Sequence, residues 1–131
     1  MLPPSVQLTS SLFGEDIAYE GQQVNFTCIT TSTDNIITWT SDHYIDGILQ
    51  VGFYDDIGFM IPSQHTPSTV ATLINATTNG GVMMIESRLQ ITASRQNPIA
   101  NVSCRINNDG PMNTTTFRTL TGCYIPLLLY C

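Results

Sequence analysis

The strongest constraint in this 131-residue sequence is an alternation of apolar and polar side chains with a period of two residues. Val24, Phe26 and Cys28 alternate with polar residues, and the same period recurs in residues 37–41 and 85–91. Successive side chains of a β-strand point to opposite faces, so the period is typical of strands with one buried face. A helical bundle and a solenoid are disfavoured, because the sequence shows neither a long apolar pattern at helical spacing nor an internal repeat.

Turn-forming residues separate the alternating segments: Glu20-Gly21, Asp34-Asn35, Asp46-Gly47, Asn79-Gly80-Gly81 and Asn108-Asp109-Gly110-Pro111. We predict strands at residues 5–10, 22–30, 35–41, 48–54, 70–76, 82–92, 100–107 and 112–120. Residues 55–68, which contain Pro62 and Pro67, are predicted to form the longest loop. About eight or nine short strands on this spacing indicate an all-β, antiparallel β-sandwich.

Composition supports a β surface and excludes several classes of protein. Only 11% of the residues are charged, and the polar positions are filled instead by uncharged groups, including eighteen Thr. With a net charge of −6, four Arg and no Lys, we expect no nucleic-acid partner. The 42% hydrophobic content makes disorder equally unexpected, and the length fits one domain.

The four cysteines point to disulfide chemistry, since none lies in the C-x-x-C spacing of zinc or redox sites. Four Asn-x-Ser/Thr motifs favour a secretory route; they begin at Asn25, Asn75, Asn101 and Asn113. The first residues have neither a basic nor a long apolar segment, so we expect any signal peptide to lie outside this sequence. We therefore expect an extracellular protein, either secreted or at the cell surface.

The strand phase places the glycosylation motifs on solvent faces. Asn25 and Asn101 point outward if Phe26, Cys28 and Cys104 point inward. Asn75 lies beside a turn and Asn113 begins the last predicted strand. A glycan at Asn101 would confine docking to the other end of its sheet.

Three residues that pack well together share the inward phase. Cys28 follows Val24 and Phe26 in that phase, Cys104 lies in a second such strand, and Trp39 follows Cys28 by eleven residues. Two thiols and one indole therefore face a common interior. The indole N–H needs a hydrogen-bond acceptor inside the protein.

This combination resembles the immunoglobulin superfamily over roughly residues 4–120. Residues 20–28 are similar to the family's second strand, residues 37–39 to its third and residues 89–91 to its fifth. The resemblance implies an immunoglobulin-like Greek-key sandwich of the variable or long intermediate type. It also implies a disulfide and a core from the following residues: Cys28, Cys104, Trp39, Leu89, Ile91 and Val102. Such a bridge closes about 77 residues and stabilises the fold by about 4 kcal/mol.

The sequence departs from the family before the second cysteine. The family usually has Asp, then Gly or Ala, then Tyr at six, four and two residues before it; here Pro98, Ala100 and Val102 stand there. We therefore expect neither the family's tyrosine-corner hydrogen bond nor an ion pair from Arg88 to that Asp position. Asn97 and Pro98 are expected to hold this turn instead.

Catalytic signatures are missing, so we expect no enzyme, no cofactor and no metal site. The two histidines, His43 and His65, lie in no nucleophile motif, and no phosphate-binding glycine loop occurs. Four acidic residues flank the extra strand at residues 48–54: Asp42, Asp46, Asp55 and Asp56. Their spacing fits no ordered calcium loop and is typical of solvated turns.

A cluster of aromatic residues and Met surrounds the same extra strand: Tyr44, Phe53, Tyr54, Phe59 and Met60. Such residues are enriched where proteins meet, and they are the candidate partner contacts. Core packing explains some of them equally well, so both interpretations stay open.

The sequence therefore predicts an extracellular immunoglobulin-like recognition or adhesion module that binds another protein through its sheet faces and loops. The partner is another protein, such as a second immunoglobulin-like domain of the same or a different kind. The alternatives are a structural spacer in a longer ectodomain and a carbohydrate- or calcium-binding sandwich.

Residues 121–131 form a short apolar tail after the domain, and Cys123 and Cys131 have no assigned partner. The apolar run is shorter than the roughly 20 residues that span a bilayer. We therefore expect a truncated or alternatively spliced tail, a clipped beginning of a membrane segment, or an extra strand that packs on the domain. For Cys123 and Cys131, a mutual bridge, a bond to another chain and no bond all stay open. Membrane attachment is expected only through segments outside this chain.

Overall fold

The computed structural model describes residues 3–12, 14, 16–34, 36–54, 59–61, 63–66 and 68–121, with the side chains of 53–54 and 59–61 outside the description. These residues form eleven strands: β1 (Ser5–Ser10), β2 (Ile17–Tyr19), β3 (Gln23–Ser32), β4 (Ile36–Ser41), β5 (Leu49–Tyr54), β6 (Phe59–Ile61), β7 (Ser63–Thr66), β8 (Thr69–Asn79), β9 (Val82–Thr92), β10 (Ile99–Ile106) and β11 (Met112–Leu120). The predicted tail with Cys123 and Cys131 lies outside the described residues, apart from Thr121.

The strands form two sheets that pack against each other. The five-stranded sheet has the order β1-β3-β9-β8-β7, and the six-stranded sheet has the order β2-β11-β10-β4-β5-β6. Every pairing is antiparallel except that of β2 with β11, which is parallel. Buried side chains from both sheets form one continuous core. The predicted all-β sandwich is therefore confirmed.

Each of the eight predicted strands is present, with ends that differ by three residues or fewer, but β2, β6 and β7 were not predicted. The assignment of residues 55–68 to a loop is wrong, since β6 and β7 lie there. These two strands have three and four residues, too few to display an alternating pattern. They lie at sheet edges, where neighbouring prolines such as those at 62 and 67 are tolerated.

The longest hairpin joins β8 to β9 through a two-residue turn. Asn79 pairs with Val82 across it, and the intervening Gly80 and Gly81 have φ angles of 61° and 83°. Two consecutive positive φ angles define a type I′ turn, whose twist matches that of the flanking strands. Glycine adopts this conformation without a steric penalty, so the Asn-Gly-Gly sequence determines the register of the hairpin.

A disulfide joins the two sheets at the centre of the core. Cys28 on β3 is bonded to Cys104 on β10, with a Cα–Cα distance of 6.4 Å. This is the bridge that the immunoglobulin resemblance implied. The core residues named from the sequence are all fully buried around it: Trp39, Leu89, Ile91 and Val102.

A polar link crosses the same core beside the disulfide. Trp39 Nε1 on β4 donates to Ser87 Oγ on β9 at 2.9 Å, and this hydroxyl donates to the carbonyl oxygen of Thr72 at 3.0 Å. Trp39 and Ser87 are both fully buried. The indole N–H therefore has the internal acceptor that its burial requires.

Tyr44 belongs to the core: of the two interpretations left open for it, core packing is confirmed and a partner contact is wrong. It lies in a turn after β4, is 4% exposed, and stacks on Phe117 with ring centroids 5.6 Å apart. Its hydroxyl accepts a hydrogen bond from the backbone N–H of Ser94 at 3.0 Å. The turn after β4 places the Tyr44 ring against the core. A two-residue period applies to strands and does not predict where a side chain in a turn points.

The hydroxyl of Tyr44 also binds the turn before β10. Val102, two residues before Cys104, is buried, and a tyrosine from another part of the chain binds this turn. Asn97 contributes its backbone N–H, which donates to the carbonyl oxygen of Ser94 at 3.0 Å. The Asn97 backbone and the Tyr44 hydroxyl thus both bind Ser94 in this turn, and the role expected of Pro98 stays a prediction.

Candidate protein-binding face

The outer face of the six-stranded sheet carries a continuous surface of side chains from four adjacent strands. On it Ser103 pairs with Thr40 and Thr114, and Arg105 pairs with Thr38 and Met112 in the next row. We call this surface the six-stranded face and define it by Thr38, Thr40, Ile48, Gln50, Asn101, Ser103, Arg105, Met112, Thr114 and Thr116. Strand pairing brings together residues that are up to 78 positions apart in the chain, from Thr38 to Thr116.

Hydrogen bonds between side chains order the middle of this face. Ser103 and Thr114 share a hydrogen bond of 2.8 Å between their hydroxyl groups. Gln50 Nε2 donates to Thr38 Oγ1 at 3.1 Å and to Asn108 Oδ1 at 2.7 Å. Thr38 lies in the outward phase yet is only 4% exposed, and Gln50 contacts it from the neighbouring strand. The alternation of buried and exposed side chains that we expected in β4 is therefore interrupted at Thr38.

Arg105 places a positive charge on the face. Its Nη1 donates to the carbonyl oxygen of Asn108 at 3.1 Å, and its Nη2 contacts Met112 Sδ at 3.4 Å. The one ion pair within the described part of the chain joins Arg95 to Glu20 at 3.5 Å, so Arg105 has no carboxylate partner there. A thioether sulfur is a weak acceptor, which leaves guanidinium N–H groups able to bind a carboxylate.

Apolar side chains border this arginine in a shallow depression. The depression has a volume of about 190 Å³ and is lined by Thr38, Thr40, Ile48, Arg105, Asn108 and Met112. Ile48 is 51% exposed and Met112 is 50% exposed. Met and Arg are enriched at protein interfaces, and the depression offers both beside neutral hydroxyl groups. This arrangement can accept a carboxylate together with a neighbouring apolar group.

Asn101 lies on the same face, toward the end at which β4 finishes. Its backbone N–H and its Nδ2 donate to the two carboxylate oxygens of Asp42 at 2.9 and 3.1 Å, and Thr116 Oγ1 donates to its Oδ1 at 2.5 Å. Arg105 lies four positions further along the same extended strand, so the backbones of the two residues are about 13 Å apart. The side chain is exposed, and a glycosylated Nδ2 keeps one hydrogen for Asp42.

The other glycosylation motifs occupy different surfaces. Asn25 is half-buried on the outer face of the five-stranded sheet. Asn75 is exposed beside an irregularity in the register of β8 with β9, and Asn113 is exposed near the start of β11. No glycan is part of the structure, so occupancy at these three sites and at Asn101 stays a prediction.

The remaining candidate residues are not gathered into one site. Phe53 and Tyr54 belong to β5, and Phe59 and Met60 belong to β6, but their side chains lie outside the description. Asp55 and Asp56 also lie outside the described residues, which leaves Asp42 bound to Asn101 and Asp46 in an exposed bend. Within the described ranges, no group of three His, Cys, Asp or Glu side chains is placed to hold a metal ion.

Sequence reasoning did not single out Ile48, Arg105 or Met112. Arg105 and Ile48 could have been recognised as outward-facing, because they lie next to the buried residues Cys104 and Leu49. Met112 lies between two exposed residues, so alternation gives no such signal for it. Alternation does not reveal which outward residues adjoin one another across strands. That information requires the register, which pairs Arg105 with Met112.

Two comparisons with known proteins were made, one with protein-family models and one with curated proteins. No protein-family model matches this chain, and no curated protein matches it either. A search of the described residues for a helix of sufficient length and apolar character to cross a membrane found none.

Proposed function

We propose that this chain is a variable-type immunoglobulin-like domain of an extracellular protein, and that it recognises another protein rather than catalysing a reaction. The observation that carries the proposal is the order of the six-stranded sheet, in which two additional strands, β5 and β6, extend it beyond β4. Variable-type domains add two strands to the same sheet, and their sheets are joined by a central disulfide next to a buried tryptophan.

The disulfide supports the extracellular part of the proposal. Disulfides persist in oxidising compartments and are rare in the cytosol. Cys28 and Cys104 form such a bond across the core, and four glycosylation motifs accompany it in the sequence. The step from this architecture to recognition is made by analogy of fold.

The six-stranded face is the proposed docking surface, and its occupant is a protein that presents an acidic side chain beside an apolar one. Arg105 supplies the complementary charge, and Ile48 and Met112 supply apolar area on either side of it. The chain as a whole carries a net charge of −6, so this arginine is a local exception that favours an acidic partner surface at this point.

A binding array tests this proposal. The domain, secreted and made multivalent, is applied to arrayed extracellular immunoglobulin-like domains from the same organism, a second copy of this chain included. We expect a specific partner whose binding falls at least about tenfold, or 1.4 kcal/mol, with Ile48→Asp and with Arg105→Glu. Met84→Asp is the matched control, because Met84 is also 51% exposed but lies on the opposite sheet.

The outcomes separate the alternatives. If no arrayed protein binds, the structural-spacer interpretation replaces recognition. If Met84→Asp abolishes binding while Ile48→Asp and Arg105→Glu do not, the partner docks on the five-stranded sheet instead. Both variants on the six-stranded face are compared with the control by thermal melting, so that lost binding is distinguished from lost folding.

A further inference from the structure

The outer face of the five-stranded sheet contains a depression beside a glycosylation motif. The depression has a volume of about 250 Å³ and is lined by Asn25, Val70, Thr72, Ile74, Arg88 and Gln90. The register places Asn25, Gln90 and Val70 in one row across β3, β9 and β8. Neighbouring strands lie about 4.8 Å apart, so Val70 is about 10 Å from Asn25 across the sheet.

Two apolar side chains are exposed on this face. Val70 is 39% exposed and Ile74 is 43% exposed, although the rest of the depression is polar. Ile74 lies where the register of β8 shifts between Leu73 and Asn75, and it does not belong to the buried core. Together they border a recess that a bound group can fill.

The Asn25 side chain is also incompletely satisfied. Its Oδ1 is buried and has no hydrogen-bond partner within the described part of the chain. The backbone of Asn25 is fully used, since its N–H donates to Ser11 Oγ at 3.0 Å and its carbonyl accepts from the N–H of Ser11 at 2.8 Å. A buried acceptor without a partner is unfavourable.

We propose that Asn25 carries an N-linked glycan whose first sugar lies in this depression. The motif is Asn25-Phe26-Thr27, and the inference rests on the proposed extracellular function because this modification is made on the secretory route. In the attachment step, Asn25 Nδ2 loses a proton and forms a bond to the anomeric carbon of the sugar. The bond from that carbon to the pyrophosphate of a lipid-linked oligosaccharide donor breaks, and the lipid pyrophosphate leaves.

The lining suits the first sugar chemically. The oxygens of an N-acetylglucosamine can accept from Arg88 and Gln90. Its methyl and C–H groups can cover Val70 and Ile74. A glycan here also covers the centre of the five-stranded sheet and leaves the six-stranded face as the broad surface for a protein partner.

Mass spectrometry of glycopeptides tests the attachment. The chain is secreted from mammalian cells behind a signal peptide, and the occupancy of each of the four motifs is measured. We expect most molecules to be modified at Asn25. An unmodified Asn25 together with modified Asn75, Asn101 or Asn113 overturns this inference alone, whereas four unmodified motifs in the secreted protein overturn it and weaken the proposed extracellular function as well.

Two matched variants test the position of the sugar. Thr27→Val destroys the motif while preserving Asn25 and the β-branched shape, and Thr27→Ser retains the motif. All three proteins are trimmed to a single N-acetylglucosamine at each occupied site and then melted. We expect the Tm of Thr27→Val to lie about 2–4 °C below that of the wild type and the Tm of Thr27→Ser to remain close to it. Equal Tm values for the wild type and Thr27→Val would overturn the placement of the sugar in the depression.

Discussion

Replacing Ser87 with Ala removes the hydroxyl that connects the two sheets through Trp39. The hydroxyl accepts from Trp39 Nε1 at 2.9 Å and donates to the Thr72 carbonyl at 3.0 Å. The variant leaves the buried indole N–H without an acceptor, at a cost of about 1–3 kcal/mol, and removes a second hydrogen bond worth about 1 kcal/mol. We therefore expect Ser87→Ala to lower the free energy of unfolding by about 2–4 kcal/mol.

The measurement is urea unfolding followed by far-ultraviolet circular dichroism, which serves variants with and without the single tryptophan. The midpoint should fall while the slope with urea stays constant, since the folded state buries the same surface. Ser103→Ala is the control, because its hydroxyl bonds to Thr114 on the outer face. We expect that variant to change stability by about 0.5 kcal/mol or less.

A double-mutant cycle isolates the contribution of the Trp39–Ser87 hydrogen bond. Trp39→Phe removes the N–H, so Ser87→Ala in that background should cost about 1 kcal/mol, the contribution of the Thr72 carbonyl. The coupling free energy between the two positions is then about 1–3 kcal/mol. If Ser87→Ala costs the same in both backgrounds, the hydrogen bond between Trp39 and Ser87 does not contribute to stability.

Three further changes test other parts of the fold. Tyr44→Phe removes only the hydroxyl that binds Ser94, so chemical denaturation should show a loss of about 1 kcal/mol, and an unchanged midpoint would contradict that role. Replacing Cys28 and Cys104 together with Ala should lower stability by about 4 kcal/mol, measured against the oxidised wild type; a loss below about 1 kcal/mol would be inconsistent with the bond's role. Gly80→Ala places a side chain at a φ of 61° and should lower the Tm by several degrees in calorimetry, whereas an equal or higher Tm would argue against the type I′ turn.

Alternation located most of the strands and several of the core residues. In β3 and β9 the inward positions Cys28 and Leu89 were assigned correctly, because each strand has one buried face and one exposed face. The rule fails in β4, where Thr38 is buried on the outward side under Gln50. A strand in the interior of a sheet can be covered on both sides, and its own sequence does not show by what.

The candidate site was harder to predict than the fold. The aromatic cluster made Tyr44 a candidate contact, but Tyr44 is buried against Phe117. Nothing in the sequence indicated that Ile48 and Arg105 line the same depression. Interface residues become neighbours through strand order. A two-residue period predicts the face of the sheet to which each side chain points. It does not show which residues on adjacent strands are its neighbours.

Local amino-acid pattern was enough to predict the class of fold, the inward positions of Cys28 and Cys104, and the Asn-Gly-Gly turn between β8 and β9, because these follow from side-chain direction and backbone sterics within short segments. Tertiary structure alone decided the edge strands β6 and β7, the burial of Tyr44 and the surroundings of Arg105 and Asn25. Each of those depends on contacts between segments that are distant along the chain, and such contacts arise only when the two sheets have formed and packed together.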